Sequence, residues 1–159
     1  MNKTDLIQQI VARLQENFAL LEKAARASHA EATHESSKAD NKYDTRGLEA
    51  SYLARGQSRQ AMDIVEAVKA FEALNPQEFG PGDPVASTAL VKVEANSTRS
   101  TYFIGPSSGG LEIEWQGEEI MVITPQSPLG QNLVGKKDGQ HWTAKLGGST
   151  VKYRILSVA

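Results

Sequence analysis

The chain has no cysteine, which excludes disulfide staples and thiolate chemistry and suits a reducing compartment. It has no apolar run of about 18 residues, so no helix is expected to span a membrane. It has no strong charge of one sign: the net charge is −2, and no overall basic field draws it to nucleic acid or anionic lipid. The N-terminal MNKTDLIQQIVARLQ mixes charged with apolar residues and lacks the apolar core of a secretory signal. With 40% hydrophobic and 23% charged residues among 159, the expectation is a soluble cytoplasmic protein of one or two small domains.

Proline and glycine are missing from Thr4 to Glu31. There Ile7, Ile10, Leu14, Asn17, Leu21, Ala24 and Ser28 recur at spacings of three and four, with Leu6, Val11 and Phe18 widening the stripe. That is the seam of a coiled coil. Asn2 or Thr4 is placed to cap the helix, and Asp5 to favour its dipole. At 1.5 Å per residue the arm is roughly 40 Å long. From Leu48 to Leu74 the pattern returns in Ala54, Gln57, Ala61, Ile64, Val68 and Phe71, with Gly56 weakening it by about 1 kcal/mol relative to alanine. Between the arms lies Glu35–Gly47, ESSKADNKYDTRG, a polar run with no large apolar residue except Tyr43. An antiparallel hairpin over 1–75 follows, with Ile7, Ile10 and Leu14 meeting Ile64, Val68 and Phe71 at its root and a thinner seam towards its tip. A dimerising coiled coil or two helices of a bundle are the alternatives.

Asn75–Pro84, NPQEFGPGDP, has three prolines and two glycines and must end the helix. We take 76–84 as a linker and 85–159 as a second domain. In that domain the period changes to two. Ala89, Val91, Val93 and Ala95 alternate with Leu90, Lys92 and Glu94. Further strands are expected at Arg99–Ile104, Leu111–Trp115, Ile120–Ile123, His141–Leu146 and Val151–Val158, with turns at Pro106–Gly110, Gln116–Gly117 and Gly147–Gly148. Ser127 caps a short helix, Pro128 starts it and Gly135 ends it, with Leu129 and Leu133 on its apolar face. The fold class is therefore α+β.

Ile123–Gln140, ITPQSPLGQNLVGKKDGQ, resembles the C-terminal signature of the Gre transcript cleavage factors of bacterial RNA polymerase, through Ser127, Pro128, Leu133, Gly135, Lys136 and Gly139. The resemblance implies an FKBP-like α+β domain preceded by an antiparallel coiled coil. It also implies a non-enzymatic factor whose globular domain docks on the polymerase while the coiled coil enters the secondary channel. Docking would use Ser127, Pro128, Leu129, Lys136 and Lys137. The factor would have no cofactor of its own, act on the Mg²⁺ of the polymerase active site, meet nucleic acid only within the elongation complex and work as a monomer. In cleavage-stimulating members, acidic tip residues help to hold a second Mg²⁺, a hard cation that prefers carboxylate oxygens, and to position water.

The family's tip motif reads approximately Gly-Asp-x-x-Glu-Asn-x-Glu-Tyr. Its nearest match here is Asp44-Thr45-Arg46-Gly47-Leu48-Glu49-Ala50-Ser51-Tyr52, which sets Asp44 and Glu49 five apart instead of three. Asp44, then Asp40 and Glu49, are the candidate tip acids, although Lys38, Lys42 and Arg46 offset the local charge. A channel-occupying regulator without cleavage stimulation is thus a second expectation. Other classes are a peptidyl-prolyl isomerase, which would need a cleft lined by aromatics such as Tyr102, Phe103, Trp115, Trp142 and Tyr153, and a self-associating coiled-coil adaptor. His29 and His34 are spaced poorly for metal ligation from one helical face, GPSSGG at Gly105–Gly110 lacks the ending of a P-loop, and Lys145 is a further candidate for a docking face.

Overall fold

The computed structural model describes residues 2–33 and 46–159, with side chains described for all of these except 28, 29, 31–33 and 46–54. The elements are α1 (Lys3–Thr33), α2 (Arg46–Glu72), β1 (Leu90–Ala95), β2 (Thr98–Ile104), β3 (Glu112–Trp115), β4 (Glu118–Ile123), α3 (Pro128–Leu133), β5 (His141–Leu146) and β6 (Ser149–Val158). They form two units, Val11–Lys69 and the combination of Met1–Ile10 with Ala70–Ala159.

In the Val11–Lys69 unit, α1 and α2 make the expected helical hairpin. Along α1 the covered positions are Leu14, Asn17, Leu21 and Ala24, and along α2 they are Gln57, Ala61, Ile64 and Ala67. These spacings of three and four place them on one stripe per helix. One position differs from expectation. Ala67 is the buried residue and Val68 lies at the margin, so a small side chain occupies the seam there. The stripe also thins along α1: Leu14 is buried, whereas Asn17, Leu21 and Ala24 are only half-buried. Ser28 and Ala54, also expected in the seam, lie outside the described side chains.

In the other unit, six strands form one sheet in the order β3-β4-β2-β1-β6-β5. All neighbours are antiparallel except β2 and β4, which pair in parallel from Thr101↔Ile120 to Ile104↔Ile123. β3 is therefore the edge strand beyond β4, reached through the Pro106–Gly110 turn. Tight two-residue turns join three hairpins, at Asn96–Ser97, Gln116–Gly117 and Gly147–Gly148, each with both residues at positive φ. Such turns match the strands' right-handed twist. A bulge at β1–β6 moves the register from Lys92↔Ser157 to Val93↔Ile155.

The sheet is apolar on both faces, which is why Leu90 is buried as well as Val91 and Val93. One face carries Val91, Val93, Ile104, Ile123 and Ile155 in a core with Val85 and Leu133. The opposite face carries Leu90, Phe103, Ile113, Trp115, Ile120 and Val122. Phe71 closes against this second face: a Cβ on Gly105 would stand 2.9 Å from Val122 Cγ1 and 3.0 Å from Phe71 Cζ. The first turns of α1 join the same unit, with Leu6 and Ile10 fully buried. Trp115 Nε1 donates to Asp5 Oδ2 at 2.6 Å across 110 residues. Lys3 donates to the Gln77 carbonyl and lies 4.5 Å above the Phe79 ring. Its burial lowers the ammonium pKa, an effect that Glu78 partly opposes. Gln77 in turn donates its N–H to Thr88 Oγ1 at 2.9 Å, so 75–79 is fixed by hydrogen bonds to both the helix start and the entry to β1.

The Asp5–Trp115 bond leads to a direct expectation. Trp115→Phe keeps the aromatic packing but removes the donor from a charged acceptor, and should lower stability by about 1.5–3 kcal/mol. In a double-mutant cycle with Asp5→Asn on denaturant unfolding, the two losses should overlap. Simple additivity would show that the bond contributes nothing.

Candidate functional site

The segment carrying the family resemblance folds into a cap built around α3. Ser127 lies in extended conformation before the helix. Its Oγ donates to the Thr124 carbonyl at 2.7 Å and accepts the Gly130 N–H at 3.0 Å, satisfying a donor that a helix start leaves free. Pro128 begins the helix, where no N–H is needed. Gly130 brings α3 against the preceding loop so closely that a Cβ would fall 1.9 Å from the Thr124 oxygen. After the helix, Gly135 turns the chain at φ 86°. Gly135 N–H donates to the Val85 carbonyl, and Val85 N–H to the Lys136 carbonyl, both at 2.8 Å. These two bonds lock the end of the cap to the strand entry.

The five expected docking residues therefore lie on one short stretch with different duties. Ser127 is occupied by capping. Leu129 packs half-buried on the core. Pro128 is exposed, as is Lys137, whose N–H donates to Gln140 Oε1 at 2.7 Å. The Lys136 ammonium stands 5.3 Å from the Trp142 ring, which stacks on Tyr153 at 5.1 Å between centroids. Val134, which the sequence reading passed over, presents an apolar side chain that is 41% exposed. The cap thus combines a hydrogen-bonded backbone with an exposed proline, an exposed valine and two lysines.

Asp40 and Asp44 lie outside the described residues, as does the tip as a whole. Glu49 falls in the first turns of α2, outside the described side chains. His29 and His34 are also beyond the described side chains. Among the described residues, no three His, Cys, Asp or Glu side chains gather in a manner that would hold a metal ion. No helix of the described residues is long and apolar enough to cross a membrane. The five aromatics considered for an isomerase cleft divide between the two faces of the sheet. Phe103 and Trp115 are buried on the α1 side, while Tyr102, Trp142 and Tyr153 line the core on the α3 side. No single cleft is lined by all five.

Residues 82–159 match the family model described as "Transcription elongation factor, GreA/GreB, C-term". That span holds all six strands and α3. Through it, residues 82–159 belong to the GreA/GreB transcription elongation factor family as its C-terminal domain. Among solved structures it is similar to GreA factor homolog 1 (Gfh1) of Thermus thermophilus, at 18% identity over 98% of this chain and 93% of that one, with a TM-score of 0.38. Gfh1 of Thermus aquaticus is 17% identical over 98% of this chain and 92% of that one, with a TM-score of 0.39. The elongation factor GreA/GreB from Nitrosomonas europaea is 22% identical over 65% of this chain and 78% of that one, with a TM-score of 0.37. No curated protein matches the sequence. In this Gre-type domain the Ser127 cap and the Gly135 turn are the local reasons that the signature residues hold one shape.

Proposed function

We propose that this Gre-family protein is a transcription factor of the elongation phase that binds RNA polymerase, docks through the α3 cap and places its helical hairpin in the secondary channel. The observation that carries the reading is the family match over 82–159, a span that contains the complete sheet and the docking cap. Support comes from the hairpin preceding that domain and from the exposed Pro128, Val134 and Lys137 of the cap. The protein would act in the cytoplasm as a monomer and hold no cofactor of its own. Its effect would fall on the Mg²⁺ of the polymerase active site, with Asp44, and behind it Asp40 and Glu49, as the tip acids. The five-residue spacing between Asp44 and Glu49, against three in the family motif, favours a second outcome in which the hairpin occupies the channel without promoting cleavage.

The test presents purified protein to backtracked elongation complexes and follows both retention and transcript length. Retention with shortening that Asp44→Ala abolishes identifies cleavage stimulation through the tip. Retention with uncut transcripts and slower nucleotide addition identifies occlusion. Val134→Asp with Lys136→Glu should weaken retention at least tenfold, since both side chains are presented by the cap. An absence of retention by the unmodified protein would overturn the polymerase assignment.

A further inference from the structure

The polar half of the β5–β6 ribbon has a composition that its fold does not require. The register places His141 opposite Arg154, Thr143 opposite Lys152 and Lys145 opposite Thr150. Alternation along a strand sends these six side chains to one face, and Trp142, Tyr153, Ala144 and Val151 to the other. All six are exposed. Three are cations, two are hydroxyls and one is an imidazole, and no carboxylate lies among them. The ribbon contains no acidic residue at all, whereas β3 and β4 contain Glu112, Glu114, Glu118 and Glu119 and no lysine or arginine. The sheet order puts these two ribbons at opposite edges, roughly 24 Å apart at the usual strand spacing.

The nearby acids Glu94 and Glu118 have cation partners outside the ribbon. Glu94, which neighbours Arg154 in the register, is held by Arg99 at 3.2 Å. Glu118 is held by Lys92 at 2.6 Å, and that bond lowers its carboxyl pKa. Among the described residues Lys145, Lys152 and Arg154 make no ion pair. A lone lysine on an edge strand serves to discourage strand pairing. That account covers Lys145 on β5 but not Arg154, where β6 is paired with both β1 and β5; Lys152 lies one residue past the β1 ladder, beside the Asn96 turn.

We propose that the Lys145–Lys152–Arg154 face of the β5–β6 ribbon binds the phosphate backbone of single-stranded nucleic acid. Successive rows of the ribbon lie two residues apart, about 6.8 Å, which is close to the separation of phosphates along one strand. Two of the rows pair a cation with a hydroxyl and the third pairs a cation with an imidazole, the groups that ordinarily contact phosphate oxygens. The aromatic rings of the ribbon are on the other face, so contact is with backbone and carries no base preference. The acidic β3–β4 edge repels the same strand and fixes which side of the domain meets it. This site uses neither the cap nor the hairpin, and it assigns Lys145, a candidate for the docking face on sequence, to nucleic acid instead.

The test omits polymerase. A fluorescein-labelled single-stranded RNA 12-mer is titrated with full-length protein, and anisotropy is followed at several salt concentrations. The unmodified protein should bind at low salt, with log K falling against log salt at a slope of about −2, as expected for three phosphates on a single strand. The exposed triple variant Lys145→Gln, Lys152→Gln, Arg154→Gln should bind at least tenfold more weakly with a slope near zero. No binding by the unmodified protein, or equal binding by the triple variant, overturns the proposal. So does a polyglutamate peptide of matched charge that binds when the RNA does not, because the face would then serve an acidic protein.

Discussion

Replacing Gly130 with alanine should destabilise the C-terminal domain by about 3 kcal/mol or more, lowering the midpoint of thermal unfolding by about 10 °C. The cause is space. The new Cβ would lie 1.9 Å from the Thr124 oxygen and 2.8 Å from its carbonyl carbon, and these are backbone atoms that cannot rotate aside. Relief requires α3 to lift away from the loop, which breaks the two Ser127 Oγ bonds and draws Leu133 out of the core. Gly109→Ala is the matched control. Its Cβ would meet nothing nearer than 3.7 Å, and it should change stability by less than about 1 kcal/mol. Equal midpoints for the two variants would show that α3 yields without strain, and would remove the reason for treating the cap as rigid.

Phe71→Ala should cost about 3–5 kcal/mol. Phe71 is fully buried, and its ring fills the space left by the missing side chain of Gly105. The pair can be tested against itself. Gly105→Ala alone should destabilise, because its Cβ is tight against both Phe71 and Val122. In the Phe71→Ala background the same change loses one of its two obstacles and fills part of the cavity. Denaturant unfolding should then give a double variant more stable than the sum of the single losses predicts, by about 1 kcal/mol or more. Strict additivity would mean that the ring and the glycine do not share this space.

The seams of both long helices were legible because a period of 3.6 over seven turns is a strong signal, and among the described side chains the exchange of Val68 for Ala67 departed from it. The strands were legible from alternation, and the short helix from Ser127, Pro128 and Gly135. What sequence could not supply was set by distant partners. Asp5 reads as a dipole-favouring residue, yet it also accepts from Trp115, 110 residues away. Gly105 reads as the start of a turn, while the structure makes it a contact surface for Phe71. Lys3 carries no signal in the sequence, yet the Gln77 carbonyl and the Phe79 ring enclose it. The parallel pairing of β2 with β4 was hidden because alternation fixes faces and leaves strand order open. Of the candidate site, the cap residues could be named from sequence, but which of them are held by hydrogen bonds and which are displayed needed the structure. Val134 escaped notice because an apolar residue beside a leucine ordinarily belongs to the core.

The partnership of Met1–Ile10 with Ala70–Ala159 has a consequence during synthesis. Leu6, Ile7 and Ile10 leave the ribosome early, while Trp115 and Val122 follow more than 100 residues later. At bacterial translation speeds of about 20 residues per second, these leucine and isoleucine side chains wait about 5 s for the sheet that covers them. A nascent chain arrested before β4 should therefore be a good chaperone client, and one arrested beyond β6 a poor one.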